Sequence, residues 1–208
     1  MRALIMAGGA GSRLNLGEKP LILINGQPMI RYITDAFSGA GCRVVVVTSP
    51  RTPMTMNWCR ANGIDAYAAG GADYIPDMEE AVLALEETDP LFVSVSDIPC
   101  IDPDIISSVN RAYRASGKNA CSTWVPSATV TSCRGGPTYR TKIQDIESCP
   151  TGLNILRGDR ITEPQDEFQL VLDDPRLAIN VNTRADRDAA ERYLMHHRER
   201  RKQPGRSS

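Results

Sequence analysis

The stretch Leu4-Ile5-Met6-Ala7-Gly8-Gly9-Ala10-Gly11-Ser12-Arg13-Leu14, followed by Glu18-Lys19-Pro20-Leu21, decides how the rest of the chain is read. Ala3–Ala7 is a short apolar run of strand length, and it empties into a loop with three glycines. Glycines let backbone N–H groups approach an anion closely, and such a nest holds phosphate oxygens. Arg13 can fork onto two phosphate oxygens at once, while Lys19 supplies a mobile point charge. Together the two cations offset much of the charge of a triphosphate. Pro20 restricts the residue before it, so Lys19 is expected in an extended backbone that aims its side chain. A Walker loop is excluded because Gly11 is followed by Ser12-Arg13 rather than Gly-Lys-Ser/Thr. A dinucleotide fingerprint fits poorly: Leu14 stands where a third glycine belongs, and the next strand ends in Thr48-Ser49-Pro50 without an acid for a ribose.

Working outward, apolar runs alternate with helical patterns. Leu21–Ile24 reads as a second short strand closed by the turn pair Asn25-Gly26. A helix is expected over Pro28–Phe37, a β-branched strand at Val44–Val47, a helix at Met54–Ala61 and a strand at Ile64–Ala66. The alternation continues with a helix at Pro76–Glu87, a strand at Leu91–Val95, a helix at Pro103–Ala115 and a strand at Ala120–Val125. This order predicts βαβ units and a mostly parallel sheet covered by helices on both faces. Residues 126–175 read as a substrate-facing excursion with short strands at Leu153–Leu156 and Phe168–Leu172. A late strand at Ala178–Val181 and a helix from Arg184 to about His197, capped by Thr183 with Asp186 three residues on, complete the domain. Residues 1–197 thus form one domain, and the basic tail from Arg198 to Ser208 is expected to be disordered.

Composition narrows the function classes. Over 208 residues, 24 Lys+Arg face 25 Asp+Glu, a net charge of −1, so no charge excess points to nucleic acid or an anionic membrane. No run approaches the ~20 apolar residues of a membrane span. The six cysteines include no C-x-x-C pair and the two histidines, His196 and His197, lie near the C-terminus, so zinc-ligand spacing is absent. A reduced, cytoplasmic protein is expected, its cysteines acting mostly as small core hydrophobes. Asp97 stands at the carboxyl end of the strand Phe92–Ser96, where open α/β sheets bind ligands. Facing a triphosphate, its carboxylate suits Mg²⁺, which prefers one or two carboxylates plus phosphate oxygens. The competing role, capping the helix after Pro103, falls better to Asp102.

"LIMAGGAGSR…EKPL" resembles the signature of the MobA-like nucleotidyltransferase superfamily, which moves NMP from an NTP onto a phosphate or sugar phosphate. Thr48-Ser49-Pro50-Arg51-Thr52-Pro53, Asp73-Tyr74-Ile75-Pro76-Asp77, Val95-Ser96-Asp97-Ile98 and Ile179-Asn180-Val181-Asn182-Thr183 narrow the likeness. This set is similar to the archaeal GTP:adenosylcobinamide-phosphate guanylyltransferase family of cobalamin assembly. The resemblance spans about residues 2–194. It implies a single three-layer, Rossmann-like α/β domain that transfers GMP from GTP to a corrinoid phosphate, with Mg²⁺ as cofactor. It leaves open whether the protein is a homodimer.

By that resemblance Arg13, Lys19 and Asp97 are the catalytic candidates. Ala7, Gly8, Gly9, Ala10, Gly11, Ser12, Arg13, Lys19 and Asp97 would hold the GTP phosphates. Ser49, Thr52, Gly70, Gly71 and Tyr74 would read guanine, with Asp77 either joining them or serving as a first-turn helix acid. Gly152 and Asn154 would approach the acceptor, joined by Asn180 and Asn182, which stand where many relatives carry a second metal-binding acid. The alternatives are another NTP transferase, such as a molybdopterin guanylyltransferase, and a regulatory domain that binds GTP without turnover. The regulatory domain is expected to lose Lys19 or Asp97, and both are present.

Overall fold

Val44–Val47 and Leu91–Val95 are apolar on both sides of the pleat, as strands covered from two faces must be. In the computed structural model, which describes residues 1–9, 17–134 and 139–202, both lie deep in a sheet. The first half of the chain gives β1 (Arg2–Met6), a 3-10 turn at Lys19–Leu21, β2 (Leu23–Ile24), β3 (Gln27–Pro28), α1 (Met29–Gly39), β4 (Arg43–Thr48), α2 (Pro53–Ala61), β5 (Asp65–Ala68) and α3 (Tyr74–Ala84). The second gives β6 (Pro90–Val95), α4 (Pro103–Ser116), β7 (Ala120–Pro126), α5 (Ser127–Arg134), β8 (Thr141–Ile143), β9 (Ile146–Arg157), β10 (Glu167–Val171), α6 (Pro175–Ala178) and α7 (Arg184–Lys202).

Among the described residues one eight-stranded sheet runs β10-β7-β9-β6-β1-β4-β5, with β8 paired to β9. β5, β4, β1 and β6 are mutually parallel, as are β7 and β10, while β9 runs antiparallel to β6 and β7. The chain goes from β1 to β4 on one side and returns to β6 on the other. β1 is therefore the place where strand order reverses. One face of the sheet carries Ile30, Ile33 and Phe37 of α1 together with Ile105, Ile106 and Val109 of α4. Phe37 meets Phe92 edge to face, with centroids 5.4 Å apart, and Phe37→Ala is expected to cost ~3–5 kcal/mol. The other face carries Met78, Ala81 and Val82 of α3 against Leu4, Val45 and Val93. Ala190 of α7 closes a smaller cluster over Ile22, Ile24, Met29, Ile179 and Val181.

Four expectations need correction. Residues 146–157 do not belong to an excursion: β9 inserts between β6 and β7, burying Cys149, Thr151, Leu153 and Ile155 on alternate positions. Pro150 and Gly152 disguise that period, and a register shift between Ser122 and Trp124 absorbs the irregularity. No strand forms at Ala178–Val181. Asp174 and Pro175, a cap and a first-position proline, start α6 instead, and Ile179–Asn182 follows without sheet pairing. The Leu21–Ile24 run divides between the 3-10 turn and β2. Finally, α7 continues to Lys202, past the expected end near His197.

Candidate functional site

Parallel strands deliver their carboxyl ends to one edge, and the reversal at β1 opens a crevice there. A cavity of about 210 Å³ occupies that crevice, reached by Met6, Val47 and Val95 from the ends of β1, β4 and β6. Ala7 still belongs to the sheet: its N–H donates to the Val47 carbonyl at 2.7 Å and it is 1% exposed. Its N–H is thus spent on the sheet and it does not line the cavity, unlike Gly8 and Gly9, with which it was grouped. Gly8 and Gly9 leave the sheet and line the cavity. The Ser49 hydroxyl donates to the Gly8 carbonyl at 2.8 Å, which ties the two loops together. Ala10, Gly11, Ser12 and Arg13 lie outside the described residues.

Lys19 reaches the cavity from the 3-10 turn. The turn is closed by Leu21 N–H donating to Glu18 O at 3.0 Å and Ile22 N–H to Lys19 O at 3.2 Å. Lys19 is thus in a helical turn rather than extended. Pro20 disfavours that conformation without forbidding it, and the turn's two bonds offset the strain. The Lys19 ammonium donates to Asp97 Oδ2 and, at 2.7 Å, to Asn182 Oδ1. Both charged side chains are largely shielded, with 15% of each accessible. Asn180 donates to Asp97 Oδ1 at 3.0 Å, and Asn182 donates to Asn180 Oδ1. The two asparagines therefore sit beside Asp97, from a segment far along the chain.

What brings them there is local chemistry at the start of α7. Asp186 Oδ2 accepts from the N–H groups of Asn182 and Thr183 at 3.0 and 2.8 Å, and Asp186 N–H donates back to Thr183 Oγ1 at 3.2 Å. This is the expected reciprocal cap. Val181 N–H donates to the Asp97 carbonyl at 2.8 Å and fixes the segment against the end of β6. Asp102 caps α4 by accepting from Asp104 and Ile105 N–H at 3.1 and 3.2 Å, which leaves Asp97 to the cavity.

The opposite rim is built by the loops after β4 and β5. Ser49 and Tyr74 line the cavity as expected. Desolvation, with a further push from the charge of Asp97, raises the Tyr74 phenol to about 12, so it stays protonated and able to donate. Thr52 does not reach the cavity. It is 0% exposed, and its hydroxyl accepts from Ser49 N–H at 3.1 Å, so it shapes the loop from inside. Gly70 and Gly71 have also committed their N–H groups, to Glu80 at 3.0 Å and Asp77 at 2.9 Å. Gly71 has φ +80, and a Cβ there would lie 2.8 Å from Pro50 Cδ, so glycine lets the two loops touch. Asp77 is 6% exposed and accepts from Gly71 and Ala72, a loop anchor that still lines the cavity.

The acceptor candidates part company. Gly152 (φ +79) lies behind the cavity wall: a Cβ would come within 2.6 Å of Val95 Cγ2. Its close approach in the structure is to Val95, and it does not line the cavity. Asn154 pairs with Val93, four residues short of Asp97, or ~13 Å along a strand. It opens on a separate groove with Ser122, Leu156 and Glu163. Sequence reasoning passed over Arg51, which lines the cavity and donates to the Gly71 carbonyl at 2.7 Å. Its place in the Thr48–Pro53 motif was the available signal.

Among the described residues no three His, Cys, Asp or Glu side chains gather to hold a metal ion. Asp97 is the carboxylate that already grips a cation, the Lys19 ammonium. The carboxamide oxygens of Asn180 and Asn182 are of the kind hard divalent ions accept, but here they accept from Asn182 and from Lys19. No described helix is long and apolar enough to cross a membrane.

Residues 3–151 match the family of MobA-like NTP transferase domains. Over 206 residues the chain is 29% identical to an adenosylcobinamide-phosphate guanylyltransferase of Methanocaldococcus jannaschii, covering 93% of this chain and 97% of that one. Among solved structures it superposes with TM-score 0.69 and 16% identity on a hypothetical transferase from Thermus thermophilus, covering 90% of this chain and 100% of the other. It superposes equally well, at 0.69 and 16% identity, on a CMP:2-keto-3-deoxy-manno-octonic acid synthetase complexed with CTP, over 95% and 100% of the two chains. These two likenesses bear on the fold.

Proposed function

Since the chain belongs to the MobA-like NTP transferase family, we propose that it transfers GMP from GTP to adenosylcobinamide phosphate and releases pyrophosphate. The observation that carries this reading is the Lys19–Asp97–Asn182 cluster at the strand-order reversal, facing Gly8 and Gly9 across one cavity. Near-full-length likeness to a guanylyltransferase of that name supports the choice of base and acceptor.

The acceptor phosphate attacks the α-phosphorus in line, the new P–O bond forming as the bond to the pyrophosphate oxygen breaks. No general base is needed, because a phosphate monoester is ionised near neutral pH. Catalysis is then positioning and electrostatics. Before nucleotide binds, Lys19 and Asp97 neutralise each other. The triphosphate gives Lys19 a stronger counter-charge, and the ammonium bears the charge redistributed at the α-phosphate. Arg13 and the backbone N–H groups of the glycine loop hold the remaining phosphate oxygens. Asn180 holds Asp97 in place, Asn182 braces Asn180 and Lys19, and the two carboxamides offer hydrogen bonds to the acceptor phosphate. Asp97 would hold Mg²⁺ jointly with nucleotide oxygens, and the bound ion offsets phosphate charge.

The test is pyrophosphate release from GTP with cobinamide phosphate as acceptor, with molybdopterin in a parallel reaction. Release with the corrinoid phosphate alone supports the proposal. Release only with the pterin moves the protein to the other acceptor class, and GTP binding without release in either reaction marks a regulatory domain.

A further inference from the structure

Glu18 stands next to Lys19, yet its carboxylate is spent on another element. Oε1 accepts from Met54 N–H at 2.7 Å, and Oε2 accepts from Thr55 N–H at 2.7 Å and from the Thr55 hydroxyl at 2.6 Å. Met54 and Thr55 are the second and third residues of α2, whose own cap residue Thr52 makes no side-chain bond to the helix. The first N–H groups of a helix lack partners inside it and favour negative charge. Glu18 therefore caps α2 from far back in the chain. Its carbonyl meanwhile opens the 3-10 turn by accepting from Leu21, and Pro20 behind it is buried. One residue is held at both ends, and Lys19 is rooted between those anchors.

The lysine stem is four carbons of rotatable chain, so the placement of its root decides where the ammonium dwells. We propose that Glu18 is a positioning residue for the transfer step: clamped to the start of α2, it fixes the backbone from which Lys19 reaches the reacting phosphate. This rests on the reading of Lys19 as the cation of the transfer step. The clamp also joins the Lys19 turn to the loop carrying Ser49 and Arg51, which runs directly into α2. Glu18 does not line the cavity, so it acts through its neighbour.

A residue that merely stabilised α2 would slow every variant alike, whereas one acting through Lys19 loses its effect once Lys19 is gone. The experiment is a double-mutant cycle of E18A, K19A and E18A/K19A. It is read by single-turnover GMP transfer and GTP titration, with thermal unfolding alongside. E18A is expected to slow transfer at least about tenfold while changing the GTP dissociation constant less than about threefold, and to change the K19A rate less than about twofold. E18Q keeps the shape and one acceptor oxygen. Its rate is expected between parent and E18A, and it replaces E18A in the cycle if E18A fails to fold. A parental rate for the Glu18 variant beside a slow K19A overturns the proposal alone, as does an equal loss in both backgrounds. A parental rate for K19A overturns the reading of Lys19 and the proposal with it.

Discussion

Gly8 and Gly9 are neighbours in the loop but differ in what a side chain would meet. A Cβ on Gly8 would lie 3.1 Å from Ser49 Cβ, whereas a Cβ on Gly9 meets nothing within 4 Å. Gly9→Val therefore places its methyls in the open space where a phosphate would lie, and is expected to weaken GTP binding with the melting temperature unchanged. Gly8→Val should weaken binding and also lower the melting temperature, since Ser49 must move. Calorimetric titration and thermal unfolding of the pair check this, and a Gly9→Val protein that bound GTP like the parent would remove the phosphate from this loop. For Lys19→Ala the expected loss is in rate: about 10²–10³ in single-turnover transfer, or ~2.7–4 kcal/mol, with GTP affinity far less affected. A loss confined to binding would make Lys19 a ground-state contact. Lys19 and Asp97 were legible in the sequence because glycines, a cation and a strand-end acid have few other reasons to coincide. Asn180 and Asn182 were legible as candidates, but the bond of Asn180 to Asp97 and those of Asn182 to Lys19 and Asn180 were not, since they depend on how α7 is capped. Asn154 and Thr52 misled for a simple reason: a motif gives neighbours along the chain but not the face on which each side chain emerges.

At the scale of elements, the cap of α4 and the start of α6 share one cation. Arg176 donates to Asp102 Oδ2 at 2.6 Å and grips Asp174 through Nε and Nη2, so it joins the two helix starts. Asp174 in turn accepts from Arg176 N–H at 2.9 Å as the α6 cap. Burial alone would raise the Asp174 pKa, but the bonds from Arg176 outweigh it and hold the carboxyl below its ordinary 3.8. A depressed carboxyl contributes stability above its unfolded value and loses it as pH falls through the folded one. Asp174→Asn is therefore expected to cost about 1 kcal/mol near neutrality, with the gap to the parent constant above pH ~5 and closing below pH ~4. Urea titrations across that range measure it, and a gap independent of pH would show that the carboxylate charge does not contribute. The role of Asp102 as a cap could be read from Asp102-Pro103, a local pattern. Its link to Arg176, 74 residues on, could not. The same division explains the misread late strand: Ile179 and Val181 are buried because α7 covers them, and that covering is a tertiary fact.

For the molecule as a whole, the alternation of strands and helices made the parallel half legible, because its connections are local and its central strands β1, β4 and β6 are mostly apolar. Of β9 only the stretch Leu153–Leu156 was legible as a strand; its first half and its place between β6 and β7 were not, since an antiparallel strand threaded into the sheet from a later segment leaves no local signature beyond a broken alternation. The buried thiols offer a check on the packing: Cys59 and Cys121, 0% and 1% exposed, are pushed up to about 11 by desolvation. Alkylation at pH ~8 is expected to spare both until the protein unfolds, and rapid native labelling of either would mean that the core opens readily. Base choice also belongs to this scale, because the loops after β4 and β5 must be held together before they can read one ring. Arg51 on Gly71, Asp77 on Gly71 and Ala72, and Ser49 on Gly8 supply that hold. Groups so fixed cannot rearrange to suit a second base. A rim matched to the edge of guanine leaves polar groups unpaired against adenine, at ~1–3 kcal/mol for each. GTP is therefore expected to bind at least about tenfold more tightly than ATP. Calorimetry with both nucleotides is the measurement, and equal affinities would mean that these loops hold the ribose and phosphates without reading the base.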